Sequence, residues 1–218
     1  MDDQLIERAQ IVGEFWEEAD DYFALAESEM DARWRDMLSP YLLGFDFSRC
    51  VDLAAGHGRN TRKLLEQPGC ELVYCVDINE SNVEFCRQRF VGNPRVQTLK
   101  TNGVAVSEIP DGSITCFYCF DAMVHFDSDV VRSYLAEVRR TLDPEIGRAF
   151  LHHSNLSRFP TLGPYRNPAN PASRNFMTAE LFTHYAHKEG LAVIRQEKID
   201  WLWDRSFIDA FSVLRVAV

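Results

Sequence analysis

Short apolar runs alternate with helical segments from residue 49 onward, and this alternation limits the chain to few folds. We predict strands and helices at the following residues: strands at 49–54, 71–76, 95–100, 114–120, 147–152, 191–199 and 207–216, and helices at 60–66, 81–90, 129–142 and 178–189. Such alternation requires right-handed crossovers and a mostly parallel sheet. The last two strands are joined by a short loop, which makes them antiparallel. The sequence therefore predicts a doubly wound, seven-stranded α/β sheet with an antiparallel last strand and a ligand site at the strand ends.

The composition excludes several kinds of partner. The chain has 218 residues, a formal net charge of −10 and no run of Lys and Arg, so we expect no contact with nucleic acid and none with an anionic membrane surface. No apolar run reaches the length of a membrane-spanning helix, and the acidic start does not resemble a signal peptide. Six scattered cysteines indicate a reducing compartment, which we take as the cytoplasm.

A glycine turn follows the first predicted strand. Gly56 and Gly58 allow the backbone to turn tightly and approach a ligand closely. Asp52 lies inside the end of that strand, where a carboxylate needs a cationic or hydrogen-bonding partner. It would repel a pyrophosphate, whereas a cofactor with an ammonium group and no phosphate removes this objection.

Two more motifs fall at strand ends. Asp77 ends the second strand, 19 positions after Gly58, where a carboxylate accepts hydrogen bonds from both hydroxyls of a ribose. Asn102 and Gly103 follow the third strand, and an amide there suits the edge of an adenine.

These motifs resemble those of the class I S-adenosylmethionine-dependent methyltransferases, over roughly residues 49–155. The family writes its first motif as acid, apolar, Gly, small, Gly, x, Gly; Ala54 stands at the first glycine, a change expected to displace the cofactor slightly outward. Asn102 replaces an acid that the family often has. The resemblance implies a Rossmann-like fold, S-adenosyl-L-methionine as cofactor, and these contact residues: Asp52, Ala54, Gly56, Gly58, Asp77, Ile78, Asn102, Gly103 and Phe120.

Two other classes of protein are alternatives to this interpretation. A nicotinamide-dependent dehydrogenase needs Gly or Ala where this chain has Thr61, and Asp52 also disfavours its pyrophosphate. The other is a non-catalytic protein that binds the cofactor and serves as an assembly partner. The polar segment 156–177, interpreted as a lid over the substrate, favours an enzyme.

Methyl transfer to oxygen requires removal of a proton, and a neutral histidine is the usual base. His125, after the fourth strand, is our first candidate, and His153 or His152 is the second. An amine acceptor would need no base. We expect a small polar, sugar-like acceptor.

Further polar residues are predicted to bind this acceptor: Asn155, Tyr165, Arg174 and Asn175. His184 and His187 are spaced as metal ligands can be, but no third ligand accompanies them, so we expect no metal site.

Residues 3 to about 43 carry an apolar stripe at helical spacing. We interpret residues 1–44 as a helical cap over the cofactor crevice and residues 45–218 as the S-adenosylmethionine-binding domain. Aromatic residues such as Phe15 and Trp16 exceed what a solvated helix shows. They must be buried either on the crevice or in a homodimer interface.

Overall fold

The computed structural model describes residues 3–17, 19–156 and 173–217. Its seven strands form one sheet in the order β3-β2-β1-β4-β5-β7-β6. Their bounds are β1 Arg49–Leu53, β2 Leu72–Asp77, β3 Val96–Lys100, β4 Cys116–Cys119, β5 Arg148–Ser154, β6 Leu191–Ile199 and β7 Asp209–Val216. Strand β7 runs antiparallel to both neighbours, and β1 to β5 pair in parallel. The predicted fold class is confirmed.

In the described part of the chain, six α-helices accompany the sheet: α1 Asp3–Glu14, α2 Asp20–Arg33, α3 Arg59–Leu65, α4 Glu80–Arg89, α5 Ser128–Thr141 and α6 Ala179–Lys188. Strands β4 and β5 are buried almost throughout, as expected for central strands covered on both faces. No helix in the described ranges is long and apolar enough to cross a membrane.

The N-terminal segment contains a break that its helical periodicity does not predict. Helix α1 ends at Glu14, a turn follows, and α2 begins at Asp20 after Ala19 has left the helical conformation. Trp16 lies in this break, and its side chain lines the cavity described below. A π-helical turn, Trp34–Leu38, and a 3₁₀ turn, Ser39–Tyr41, complete the segment, and the second of these contains Pro40, which cannot continue an α-helix.

The two halves of this segment have different neighbours. Residues of α1 and α2 line a cavity at the strand ends. Met30, Trp34, Leu38 and Leu42 instead pack into a buried cluster with residues of the sheet, among them Tyr118. The division proposed at residue 44 therefore separates side chains that share one core.

Two deletions distinguish the roles of these halves. Removing residues 1–17 should leave a cooperatively folded protein with weakened cofactor binding. Removing residues 1–44 exposes the cluster around Tyr118, and each large apolar side chain lost from it contributes about 1.5–3 kcal/mol. We therefore expect the longer deletion to lack a cooperative thermal transition by circular dichroism. Two equally stable deletion variants would show that Met30–Leu42 does not stabilise the sheet.

Candidate active site

A cavity opens at the carboxyl ends of β1, β2 and β4, the edge at which a doubly wound sheet binds its ligand. Its floor comes from the loop after β1, the start of α4 and the segments after β3 and β4, and α1 and α2 form its roof. The lining residues include Ala9, Gly13, Trp16, Tyr22, Phe23, Ala54, Gly56, Arg59, Asn60, Asp77, Ile78, Asn82, Thr101, Gly103, Phe120, Asp121 and His125.

Two glycines allow the roof to lie directly on the floor. Gly56 has φ +54°, and a Cβ there would lie 2.5 Å from the ring of Phe23. Gly103 has φ +90°, and a Cβ there would lie 2.6 Å from both Ala9 and Ile78. Both positions need a left-handed backbone and leave no space for a side chain, so the helical roof and the loops enclose a common space.

Ala54 also adopts the left-handed conformation, with φ +57°. This is the position at which the resemblance leads one to expect glycine. A left-handed alanine costs about 1–2 kcal/mol, so the loop keeps the conformation that glycine would favour in spite of the substitution. Ala54 itself lines the cavity.

The carboxylate of Asp77 joins two walls of the cavity. Oδ2 accepts a hydrogen bond from Gly56 N at 2.8 Å, and Oδ1 accepts from Asn79 N at 2.9 Å and from Asn82 Nδ2 at 3.1 Å. Burial raises the pKa of Asp77, while these donors lower it. The predicted ribose-binding residue therefore also fastens the glycine loop to the first turn of α4.

Asp52 lies beneath the loop and does not line the cavity. Its Oδ2 accepts a hydrogen bond from Thr61 Oγ1 at 2.7 Å, which connects β1 to α3. Burial raises the pKa of Asp52 to about 7. Oδ1 is enclosed and has no partner in the described part of the chain. Because Asp52 does not line the cavity, the expectation that it faces a cationic cofactor stays a prediction.

The other predicted cofactor residues divide into two groups. Ile78, Gly103 and Phe120 line the cavity, whereas Gly58 and Asn102 do not. Asn102 Oδ1 accepts from the N–H groups of Val104 and Ala105, both at 3.1 Å, so this amide shapes the turn after β3.

His125 lies on a 3₁₀ turn, Met123–His125, and lines the cavity. Its Nδ1 is 3.0 Å from Ser173 O. Because a carbonyl oxygen only accepts, Nδ1 carries the hydrogen of the neutral ring and Nε2 keeps a lone pair. Burial and the nearby Arg174 guanidinium lower the pKa of His125 to about 4. The ring packs against Trp16, with centroids 5.1 Å apart.

His152 and His153 point to opposite faces of β5, as adjacent strand residues must. His153 stacks on Phe182 and contacts Ser212 Oγ through Nε2 at 2.8 Å. Burial lowers the pKa of His153 to about 3. His152 Nδ1 accepts from Asp121 N at 3.1 Å, and Nε2 lies 3.2 Å from Asp209 Oδ2 without hydrogen-bond alignment. Neither ring lines the cavity.

The residues predicted to bind an acceptor are placed mostly behind the cavity wall. Asn155 Nδ2 donates to Phe207 O and its Oδ1 accepts from Ala179 N. Arg174 donates two hydrogen bonds to Asp209, at 2.9 and 2.8 Å. Asn175 Oδ1 accepts from Phe176 N. Tyr165 and most of the predicted lid lie outside the described residues.

Several polar side chains in the cavity wall are not among the predicted site residues, and three of them form one network: Tyr22, Arg59 and Asp121. Asp121 Oδ2 accepts from Tyr22 Oη at 2.6 Å and from Arg59 Nη2 at 2.9 Å. Arg59 directly follows the glycine turn and Asp121 lies two residues after β4, so their position near strand ends is the available signal. Nothing in the sequence indicated that Tyr22 would meet them.

The polar atoms of the cavity suit a nucleoside carrying an amino acid. Asn60 and Asn82 line it, and the Oδ1 atom of each is enclosed without a partner among the described residues. Enclosed acceptors of this kind call for a donor, and ribose hydroxyls and an ammonium are such donors. These acceptors, together with the carboxylates of Asp77 and Asp121 in the cavity wall, fit S-adenosylmethionine.

Comparisons with known proteins agree with this geometry. A family model described as a methyltransferase domain matches residues 50–145. No curated protein matches the chain by sequence. Among solved structures, a Leishmania major S-adenosylmethionine-dependent methyltransferase shares the fold with a TM-score of 0.71 and 13% identity, over 95% of this chain and 82% of that one.

Two further structures show the same fold. A chain from the complex of the Haloferax volcanii Trm112 activator with a methyltransferase has a TM-score of 0.69 and 16% identity, over 95% of this chain and 98% of that one. Geranyl diphosphate C-methyltransferase from Streptomyces coelicolor A3(2) has a TM-score of 0.69 and 12% identity, over 86% of this chain and 81% of that one.

A methyltransferase domain matches residues 50–145, and the sheet order and the cavity are consistent with the class I fold. The chain is a methyltransferase, and S-adenosyl-L-methionine is its cofactor.

Replacing Asp77 tests the double role of its carboxylate. Asp77→Ala leaves the Gly56 and Asn79 N–H groups without their acceptor, which costs about 1–3 kcal/mol for each buried group left unpaired. We therefore expect a lower midpoint of urea denaturation together with weaker binding of S-adenosylhomocysteine, measured by calorimetry. Asp77→Asn, which keeps an acceptor oxygen, should be milder in both. A variant that lost stability but kept full affinity would leave Asp77 only its structural role.

Proposed function

We propose that this enzyme transfers the methyl group to an oxygen of a small, polar, hydroxyl-bearing molecule, and that His125 removes the proton. The observation that carries the proposal is the fixed tautomer of His125. Its Nδ1 is held by Ser173 O, which leaves Nε2 as a proton acceptor in the cavity wall.

The electrostatics of His125 suit a base. Since its pKa is lowered to about 4, the ring is unprotonated throughout the neutral range. A base with this pKa is weak, but a hydroxyl that begins to bond to the methyl carbon becomes more acidic as the reaction proceeds. The cofactor supplies an activated methyl group, so the protein needs to align the acceptor and receive its proton.

The surroundings of His125 favour a small acceptor. Trp16 lies between His125 and Tyr22, with ring centroids 5.1 and 5.0 Å away. Tyr22 donates a hydrogen bond to Asp121, so the aromatic rings of Trp16 and Tyr22 together cover His125 and Asp121. An enclosed space of this kind accommodates a small molecule and excludes a duplex. Methylation of a small amine needs no base, and the experiment below distinguishes it from methylation at oxygen.

The compartment and assembly are also proposals. All six cysteines are unpaired and buried, which supports a reducing compartment, the cytoplasm. Ile11 and Phe15 are exposed on the roof, which supports a homodimer through this face; size-exclusion chromatography with light scattering would detect it. The structure solved with the Trm112 activator supports a protein activator as a second partner.

A screen of hydroxyl- and amine-bearing acceptors with methyl-labelled S-adenosylmethionine tests the proposal, and His125→Gln is the decisive variant. Glutamine keeps a hydrogen bond but takes no proton at neutral pH, so turnover should fall by about 10²–10⁴ with unchanged affinity for S-adenosylhomocysteine. Because protonation of His125 occurs only near pH 4, the ratio of wild-type to His125→Gln turnover should not decline between pH 7.5 and pH 5.5.

His184→Gln, on helix α6 away from the cavity, is the matched control. Labelled product from amines alone would contradict methylation at oxygen. Full turnover of His125→Gln with the identified acceptor would remove His125 as the base.

A further inference from the structure

An ion pair lies in the cavity wall close to the glycine loop. Arg59 Nη2 is 2.9 Å from Asp121 Oδ2 and 3.3 Å from Tyr22 Oη. The side chains of Arg59 and Asp121 are only 10% and 11% exposed, and both line the cavity. Arg59 begins α3 directly behind the loop, whereas Asp121 follows β4, so the pair bridges two walls.

Each partner uses only part of its hydrogen-bonding capacity. Arg59 donates through Nη2 alone, and neither its Nε nor its Nη1 has a protein acceptor among the described residues. Asp121 Oδ1 likewise has no donor in the ranges that the structure describes. These atoms differ from the enclosed Oδ1 of Asn82 because they keep contact with the open cavity. A cation with spare donors therefore stands beside an anion with a spare acceptor.

The backbone holds Asp121 in a strained conformation. Its φ is +60°, unfavourable for a residue with a side chain, and strain of this kind is concentrated at functional sites. The N–H of Asp121 donates to His152 Nδ1 at 3.1 Å. Behind His152, Asp209 is held by two hydrogen bonds from Arg174. This buried support fixes the direction of the Asp121 carboxylate.

We propose that Arg59 and Asp121 together bind the amino-acid end of S-adenosylmethionine: Arg59 the α-carboxylate and Asp121 the α-ammonium. The free edge of a guanidinium suits a carboxylate, because its planar donors match the two oxygens. Asp121 Oδ1 accepts a hydrogen bond from the ammonium. The pair is neutral overall, so it selects a zwitterion over an anion or a cation. This assignment rests on the identity of the cofactor and is independent of the acceptor and of His125.

Ligands that lack one charged group at a time test the two assignments by calorimetry. The probes are S-adenosylhomocysteine, its decarboxylated analogue, its deaminated analogue and 5′-methylthioadenosine, which lacks both groups. Arg59→Met should weaken the binding of S-adenosylhomocysteine by about 10- to 100-fold. Its affinity for the decarboxylated analogue should stay within about twofold of the wild-type value, because no charge-assisted hydrogen bond is lost there. Asp121→Asn should weaken the binding of S-adenosylhomocysteine by a similar factor and leave the affinity for the deaminated analogue unchanged.

Arg62→Met is the matched control, because Arg62 lies one turn further along α3 and pairs with Glu27 and Asp31 outside this ion pair. Any change that it causes in binding affinity should be the same for all four ligands. If Arg59→Met does not fold, Arg59→Lys, which keeps the charge and loses the planar fork, carries the comparison. Equal weakening of S-adenosylhomocysteine and 5′-methylthioadenosine by both variants would mean a purely structural pair and would overturn the proposal. Unchanged affinity for S-adenosylhomocysteine would overturn it as well.

Discussion

The buried carboxylate of Asp77 is the interaction on which the cavity depends. Through Gly56 N, Asn79 N and Asn82 Nδ2 it joins the loop after β1 to the start of α4, so the ends of two neighbouring strands form one surface. The ring of Phe23 packs directly on Gly56. The hydrogen bond from Gly56 N to Asp77 therefore also fixes the surface on which the roof packs. A carboxylate buried in this way requires several donors, and all of them come from the cavity wall.

A second polar network stabilises the opposite side of the cavity. Arg174, Asp209 and His152 form a buried series that ends at the backbone N–H of Asp121. Burial opposes ionisation of Asp209, but His152 and Arg174 lower its pKa to about 2. For Asp121 too, burial opposes ionisation, yet Arg59 and His152 hold the pKa of Asp121 below its usual value. The cavity therefore keeps a fixed negative charge next to a fixed positive one.

The sequence predicted the sheet better than the roof. Alternating apolar runs have one arrangement that buries them, so the strands and the antiparallel β7 followed from local pattern and crossover rules. The division of the N-terminal segment into α1 and α2 depends on Trp16 entering a cavity made by residues far away in sequence, which periodicity does not contain. For the same reason Met30–Leu42 was assigned to a separable cap, although it packs with Tyr118.

The site shows the same contrast. Motifs at strand ends predict a region, and seven of the residues predicted there line one cavity: Ala54, Gly56, Asp77, Ile78, Gly103, Phe120 and His125. Direction within that region was not predictable from residue type. Asp52 lies below the loop and Asn102 bonds to its own turn, while Arg59 and Asp121 turn into the cavity. Which neighbour satisfies a polar side chain depends on three-dimensional packing, and a short polar residue after a strand serves a turn as readily as a ligand.

The most direct test of this account is a side-by-side calorimetric titration of the wild-type protein with S-adenosylhomocysteine and with NAD. The account predicts saturable binding of one S-adenosylhomocysteine per chain and much weaker binding of NAD, because the carboxylates of Asp77 and Asp121 line the cavity and would repel a pyrophosphate. Tighter binding of NAD, or no binding of S-adenosylhomocysteine to the folded protein, would contradict it.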